Sequence, residues 1–209
     1  MLLGHSFGSV ISNAVLAQNT SLVDGAILTG IGYENPSSGE TFLSWQPKLA
    51  RIQSPARWRQ LDGGYITWVD MFSNIATYVL PCSPSPLPFH TIQTHQTNSL
   101  DRFFKQPYFD IGVVKTADAN KEPFALMEVI TLGITPLGTN FTGPVLVLTG
   151  EYDFIFCTGY CGGILIPSAE KTFPDSKGLE VYMQPDSGHG INLSVSWDVT
   201  GFEICANSR

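Results

Sequence analysis

Two stretches of the chain are apolar without a break, and they set the expectation for what surrounds them. Ala26-Ile27-Leu28 lies between Gly25 and Thr29-Gly30, and Val145-Leu146-Val147-Leu148 lies between Pro144 and Thr149-Gly150. Short apolar runs bounded by turn residues read as strands buried on both faces of a parallel sheet. Leu179-Glu180-Val181-Tyr182-Met183 alternates apolar and polar positions and reads as a last strand. Ahead of the first run, Met1-Leu2-Leu3 is an apolar stub, and Val10, Ile11, Ala14, Val15 and Ala17 then repeat at helical spacing. Strand, helix, strand is a βαβ unit, so the expected class is α/β.

From Tyr33 to about Phe141 the pattern changes. Pro36, Gly39, Pro47 and Pro55 interrupt it, and Trp45 and Trp58 add bulk. Tyr65, Trp68, Val69, Phe72, Ile75, Ala76 and Val79 fall on one helical face, which predicts a helix ending at Pro81. The proline-rich stretch from Pro81 to Pro88 is expected to be extended. A second helix is expected to open at Pro123 and run through Leu126, Met127 and Ile130 to a cap at Gly133. A short helix with Ser168 as its cap is expected before the last strand, and no internal repeat is visible.

Composition narrows the partners. The chain has 209 residues, of which 43% are hydrophobic and only 14% charged, with a net charge of -7. No basic stripe is present to neutralise phosphates, which argues against nucleic acid, and no apolar run is long enough to span a membrane. A surface leaning on Ser, Thr, Asn, Gln and Gly is the mix of secreted proteins, and Asn19, Asn140 and Asn192 open glycosylation sequons, although Asn192 lies close to His189. Only three residues precede Gly4, so no leader peptide is read here. Cys82, Cys157, Cys161 and Cys205 allow three disulfide pairings. Their spacing does not suit zinc, and Cys157 and Cys161 bracket a loop that a short disulfide would stiffen.

Three side chains carry candidate chemistry. Gly4-His5-Ser6-Phe7-Gly8 is a Gly-x-Ser-x-Gly sequence between an apolar stub and a helix, the pattern of a nucleophile elbow. Such a turn holds its serine in a strained conformation and sets the N–H of the next residue, Phe7, at a helix N-terminus, where it can stabilise an oxyanion. Glycines at both Gly4 and Gly8 are expected to make room for strand and helix. Asp153 follows the strand ending at Gly150, and His189 sits between two glycines after the last strand. Serine needs an imidazole to take its proton, and the imidazole needs a carboxylate to fix its tautomer. Glu151 is the alternative acid, and Asp186 lies too near His189 on the same loop to serve.

The order Ser6, Asp153, His189 resembles that of the α/β-hydrolases, and the likeness extends from Met1 to about Phe202. More narrowly, Gly63-Gly64-Tyr65-Ile66-Thr67-Trp68-Val69-Asp70 and Gly150-Glu151-Tyr152-Asp153-Phe154-Ile155-Phe156-Cys157 are similar to fungal proteins of that family. The resemblance implies the C-terminal part of an α/β-hydrolase fold, with residues 1–32 and 142–209 as a partial core and 33–141 as a mainly helical cap over the site. It implies a Ser-His-Asp hydrolase acting on an ester or related acyl bond of an apolar or amide-like small molecule, without cofactor or metal. His5, Trp68 and Phe72 are candidates for the substrate pocket, and Trp45, Trp58, Phe103 and Phe104 for the pocket or the cap's own core. The family carries further strands before the elbow, and a loop among them supplies a second oxyanion donor. The chain by itself is therefore expected to fall short of a competent enzyme and to leave the edge of its first strand open. A non-catalytic binding protein, an inactive fragment, and a lyase, acyltransferase or haloperoxidase are the other readings of the same motifs.

Overall fold

The computed structural model describes residues 1–34, 46–69, 103–105, 107–136 and 140–195. From the amino end, β1 (Leu2–His5) turns at Ser6 into α1 (Phe7–Gln18) and the chain returns as β2 (Ala26–Thr29). The region between the apolar runs contains β3 (Lys48–Leu49), α2 (Ala50–Gln53), α3 (Pro55–Trp58), β4 (Tyr65–Thr67), α4 (Ile111–Ala119), β5 (Phe124–Ala125) and α5 (Leu126–Thr131). The chain then forms β6 (Val145–Gly150), α6 (Phe154–Cys157), α7 (Leu165–Thr172) and β7 (Leu179–Gln184).

β1, β2, β6 and β7 form a wholly parallel sheet in that order. Parallel strands need crossovers, and α1 supplies the one between β1 and β2. Leu28, Val145 and Val147 are almost fully buried, and with Val10 and Leu16 of α1, Leu165 and Ala169 of α7, and Phe173 they form one core. Each of the Val, Leu and Phe side chains among them contributes about 1.5–3 kcal/mol on burial. Among the described residues β1 has no partner on its outer side, and Met1, Leu3 and Ile11 face solvent. No described helix is long and apolar enough to cross a membrane.

β3, β4 and β5 form a separate antiparallel sheet, with Ile66 opposite both Leu49 and Phe124. This corrects the helix expected from Tyr65. The Gly63-Gly64 turn feeds Tyr65-Ile66-Thr67, a segment of β formers, into a slot between two partner strands, and pairing overrides the helical spacing at its start. From Asp70 onward that expected helix, with Phe72, lies outside the described residues, as do Trp45, Cys82, Cys205 and the proline-rich stretch.

Two further boundaries move. The helix expected at Pro123 begins at Leu126, because Phe124 and Ala125 pair with β4 and the Glu128 carboxylate accepts the Ala125 N–H at 3.0 Å; a 3-10 turn, Leu132–Ile134, follows it. Ser168 is not a cap. It is buried inside α7 with its hydroxyl donating to the Leu165 carbonyl, since Pro167 fits the first turn of a helix and lets it start earlier. α4 was not expected from the sequence, although Asp110 marks its start by accepting the N–H groups of Gly112 and Val113.

Candidate active site

The site is built at the carboxyl ends of the parallel strands, where open α/β sheets place their chemistry. Ser6 lies between β1 and α1 with φ 54° and ψ -120°, the unusual conformation an elbow requires. Its N–H donates to the Thr29 carbonyl at 2.8 Å, and the same carbonyl accepts the Ser9 hydroxyl at 2.8 Å. These bonds stitch the turn to the end of β2. At Gly4 a Cβ would stand 2.5 Å from the Gly8 carbonyl oxygen and 2.6 Å from the Ser9 nitrogen. Gly8 differs, since among the described residues nothing lies within 4 Å of the place a Cβ would take. Among the described residues only Gly4 is required sterically, which corrects the symmetric expectation.

Asp153 caps α6 and is fully buried. Its Oδ1 accepts the Phe156 N–H at 3.0 Å, and its Oδ2 lies 2.8 Å from His189 Nδ1. A carboxylate only accepts, so Nδ1 carries the proton and the bare Nε2 faces Ser6. The Ser6 hydroxyl donates to Nε2 across 2.7 Å. His189, also fully buried, is set by the loop after β7, which crosses directly over the end of β6. A Cβ at Gly150 would collide with the Gly188 carbonyl. Glu151 does not touch the ring; its carboxylate accepts the N–H of Asp186, a residue at φ 54° in the turn before His189. Asp186 and Glu151 thus shape the loop, and Asp153 is the acid placed on the imidazole.

His5 lies beside the site, with its ring centre 5.2 Å from that of His189. The Thr29 hydroxyl donates to the Gly4 carbonyl at 3.0 Å and therefore accepts from His5 Nδ1, also at 3.0 Å. That fixes His5 as the Nδ1–H tautomer. Burial, and secondarily the neighbouring His189, push its pKa down to about 4, opposed weakly by Asp153, so it is neutral at ordinary pH. His5 is a packed, uncharged neighbour of the imidazole.

Two phenyl rings complete the surroundings. Phe103 stands edge-on to His189 at 5.0 Å, and its carbonyl accepts the Gly190 N–H at 2.7 Å. Phe156 lies 5.8 Å from the same imidazole. Phe156 was missed at the sequence level; its signal was its place in the turn that Asp153 caps. Among the described residues Trp68 meets the site through Phe103, 6.4 Å away. Its indole N–H donates to Asp118, and Lys121 lies over its ring. Trp58 and Phe104 are buried in the region between β2 and β6, Phe104 with its ring 6.5 Å from that of Phe103. The Phe7 N–H has no hydrogen-bond partner among the described residues. Among those residues no three His, Cys, Asp or Glu side chains are grouped to hold a metal ion. A surface depression lined by Phe173, Pro174, Lys177 and Leu179 lies at the opposite, amino edge of the sheet and has no part in this constellation.

No protein-family model and no curated protein sequence matches the chain. Solved structures do. The monoacylglycerol lipase of Paleococcus ferrophilus aligns with a TM-score of 0.50 at 12% identity over 97% of this chain and 65% of the lipase. An α/β-hydrolase fold protein from Chitinophaga pinensis aligns at 0.49 with 14% identity, covering 99% of this chain and 64% of that protein. A thermophilic esterase from Thermogutta terrifontis aligns at 0.47 with 15% identity over 99% of this chain and 65% of the esterase. At such identities the likeness to the lipase shows the fold alone: it is an α/β-hydrolase fold, and the chain spans less than two thirds of the length of these structures.

Proposed function

We propose that the chain carries the reacting groups of a serine hydrolase that cleaves an ester or related acyl bond in an apolar small molecule. What carries this reading is the unbroken hydrogen-bond chain from Ser6 through His189 to Asp153, with links of 2.7 and 2.8 Å. In that chemistry Ser6 Oγ forms a bond to the acyl carbon as its proton passes to His189 Nε2. Asp153 holds the ring and stabilises the imidazolium. The carbonyl electron pair moves to oxygen, where the Phe7 N–H meets it. When the oxyanion collapses, the bond to the leaving alkoxide breaks and Nε2 returns the proton to it. Water then repeats the sequence on the acyl-enzyme, releasing the acid and freeing Ser6. Phe103 and Phe156 give the imidazole apolar flanks, which supports an apolar acyl group and excludes water from the charged intermediate.

Two contacts are those expected of a lid: Phe103 meets the histidine loop, and the Tyr108 carbonyl accepts the Val195 N–H at 3.2 Å. We therefore assign the region between β2 and β6 as the cap of this site. The test is a fluorophosphonate probe, which bonds only to an activated serine. Labelling at Ser6, absent in Ser6→Ala, is the expected result, together with loss in that variant of whatever hydrolysis of a short-chain aryl ester the chain supports. A folded chain that takes no label would point instead to a scaffold retained for binding.

A further inference from the structure

We infer that the disulfide between Cys157 and Cys161 is a positioning element that aims the Asp153 carboxylate at His189; the catalytic part of this inference rests on the triad proposed above. The bond closes the turn that begins at Asp153, and both cysteines are almost fully buried in the main core. Within that turn Asp153 has three attachments. Its carbonyl accepts the N–H groups of Cys157 at 3.2 Å and Gly159 at 3.1 Å, and its Oδ1 accepts Phe156 N–H, leaving Oδ2 for the imidazole. The far side is anchored to the strand end, because Cys161 N–H donates to the Glu151 carbonyl at 2.8 Å.

Between the cysteines the chain reverses through Thr158 at φ 56° and Gly159 at φ 103°. A β-branched residue in the left-handed region is strained and stays there only when its surroundings compel it. α6 has four residues, too few to hold itself together. The covalent tie from its last residue to Cys161 supplies that compulsion. Without it Thr158 relaxes, the turn opens, and Asp153 loses the bonds that fix its direction. Phe156, on the same turn, then withdraws from His189. The sulfurs touch no reacting atom, so their effect on the reaction passes entirely through Asp153 and Phe156.

The experiment compares the intact chain, the same chain reduced with a phosphine, and the double variant Cys157→Ala with Cys161→Ala, at temperatures where circular dichroism shows the fold retained. Two signals are read. One is the downfield proton resonance of His189 Nδ1–H, which reports its bond to Asp153 whether or not the chain turns over substrate. The other is the separation of kcat from KM on an aryl ester. With the disulfide intact the resonance is sharp; on loss of the bond it broadens or disappears and kcat falls roughly ten- to hundredfold with KM little changed. A resonance and a kcat that survive both forms of disulfide loss overturn the inference. Unfolding of both forms at every temperature also overturns it, because the bond then holds the fold and not the site. A sharp resonance that is lost with the disulfide in a chain that never labels at Ser6 keeps the positioning role and removes only the hydrolase reading.

Discussion

In the parallel sheet Leu28, Val145 and Val147 share one face and are buried there in a single core with residues of α1 and α7. In the region between β2 and β6 the strands have two or three residues, and much of the tying is polar. Lys121, itself nearly buried, donates to the carbonyls of Trp68 and Val69 and to Asp118. Arg57 reaches the carbonyls of Ala119 and Lys121 and the Glu122 carboxylate. The first region is organised by apolar area, which has no direction and needs only a pattern. The second depends on individual donors meeting individual acceptors. The two should therefore fail in different ways, and the site, which takes Ser6, Asp153 and His189 from the first and Phe103 from the second, should feel the two kinds of failure differently.

The largest effects are expected where the parallel sheet meets the chemistry. Asp153→Asn keeps the shape of the side chain but lets it donate, so His189 is no longer held with its proton on Nδ1. Turnover should drop by about 10⁴ while the melting curve changes little. A variant retaining most of its aryl-ester activity would remove Asp153 from the site. Gly4→Ala should abolish activity by another route: its methyl would press into the main chain at Gly8 and Ser9, so the elbow itself must move. Here the loss of Ser6 labelling should come with a lower melting temperature.

Stability separates the two regions next. Val147→Ala removes fully buried methyls from the centre of the sheet and should lower the stability of the whole unit by about 2–3 kcal/mol, read as a single cooperative shift in melting. Lys121→Met leaves two carbonyls and Asp118 short of a donor and should cost about 2 kcal/mol, moderated by the partial exposure of Asp118. Its signature should be local: faster amide exchange at Thr67, Trp68 and α4, with β6 and β7 unchanged. Equal loss of protection in both regions would mean that they unfold as one unit.

The same contrast explains what the sequence disclosed. Val145 to Gly150 and Ala26 to Thr29 are readable because unbroken apolar runs between glycines fit little else, and the elbow, Asp153 and His189 follow because each stands at the carboxyl end of such a strand. Tyr65 to Thr67 misled because the helical spacing from Tyr65 to Val79 took Tyr65 as its first position, whereas what decides there is the presence of Leu49 and Phe124 on either side of Ile66. The placement of Phe156 on His189 depends on how one turn closes around Asp153, which no periodicity records. Thr29 is similar: as a sequence position it ends a strand, but in space its hydroxyl fixes the tautomer of His5.

Acid separates the two regions by a smaller margin. His5 belongs to the sheet side, and its pKa falls from 6.5 in the unfolded chain to about 4 in the fold. Between those values the unfolded chain binds a proton that the folded chain does not, so stability is complete above pH 6.5 and declines as pH falls toward 4. The half-buried ring limits the effect to about 1 kcal/mol. Melting of the intact chain and of His5→Gln across this range should diverge below pH 6.5, the variant being the less sensitive. Parallel curves would show that His5 contributes nothing to the acid response.

The smallest expected effect tests the elbow's asymmetry. Gly8 lies in the first turn of α1 with no atom of the described residues near the position of a Cβ, and its φ is not left-handed. Nothing in its conformation or surroundings therefore calls for glycine, whereas glycine in a helix costs about 0.5–1 kcal/mol relative to alanine. Gly8→Ala should leave Ser6 labelling intact and raise stability by up to that amount, less if the first turn frays. The opposite outcome, loss of labelling at undiminished stability, would mean that the space beside Gly8 is used when substrate or a further part of the fold approaches Ser6. The two glycines that look equivalent in Gly-x-Ser-x-Gly would then serve different ends, Gly4 to let the strand pass the helix and Gly8 to leave the face of the nucleophile clear.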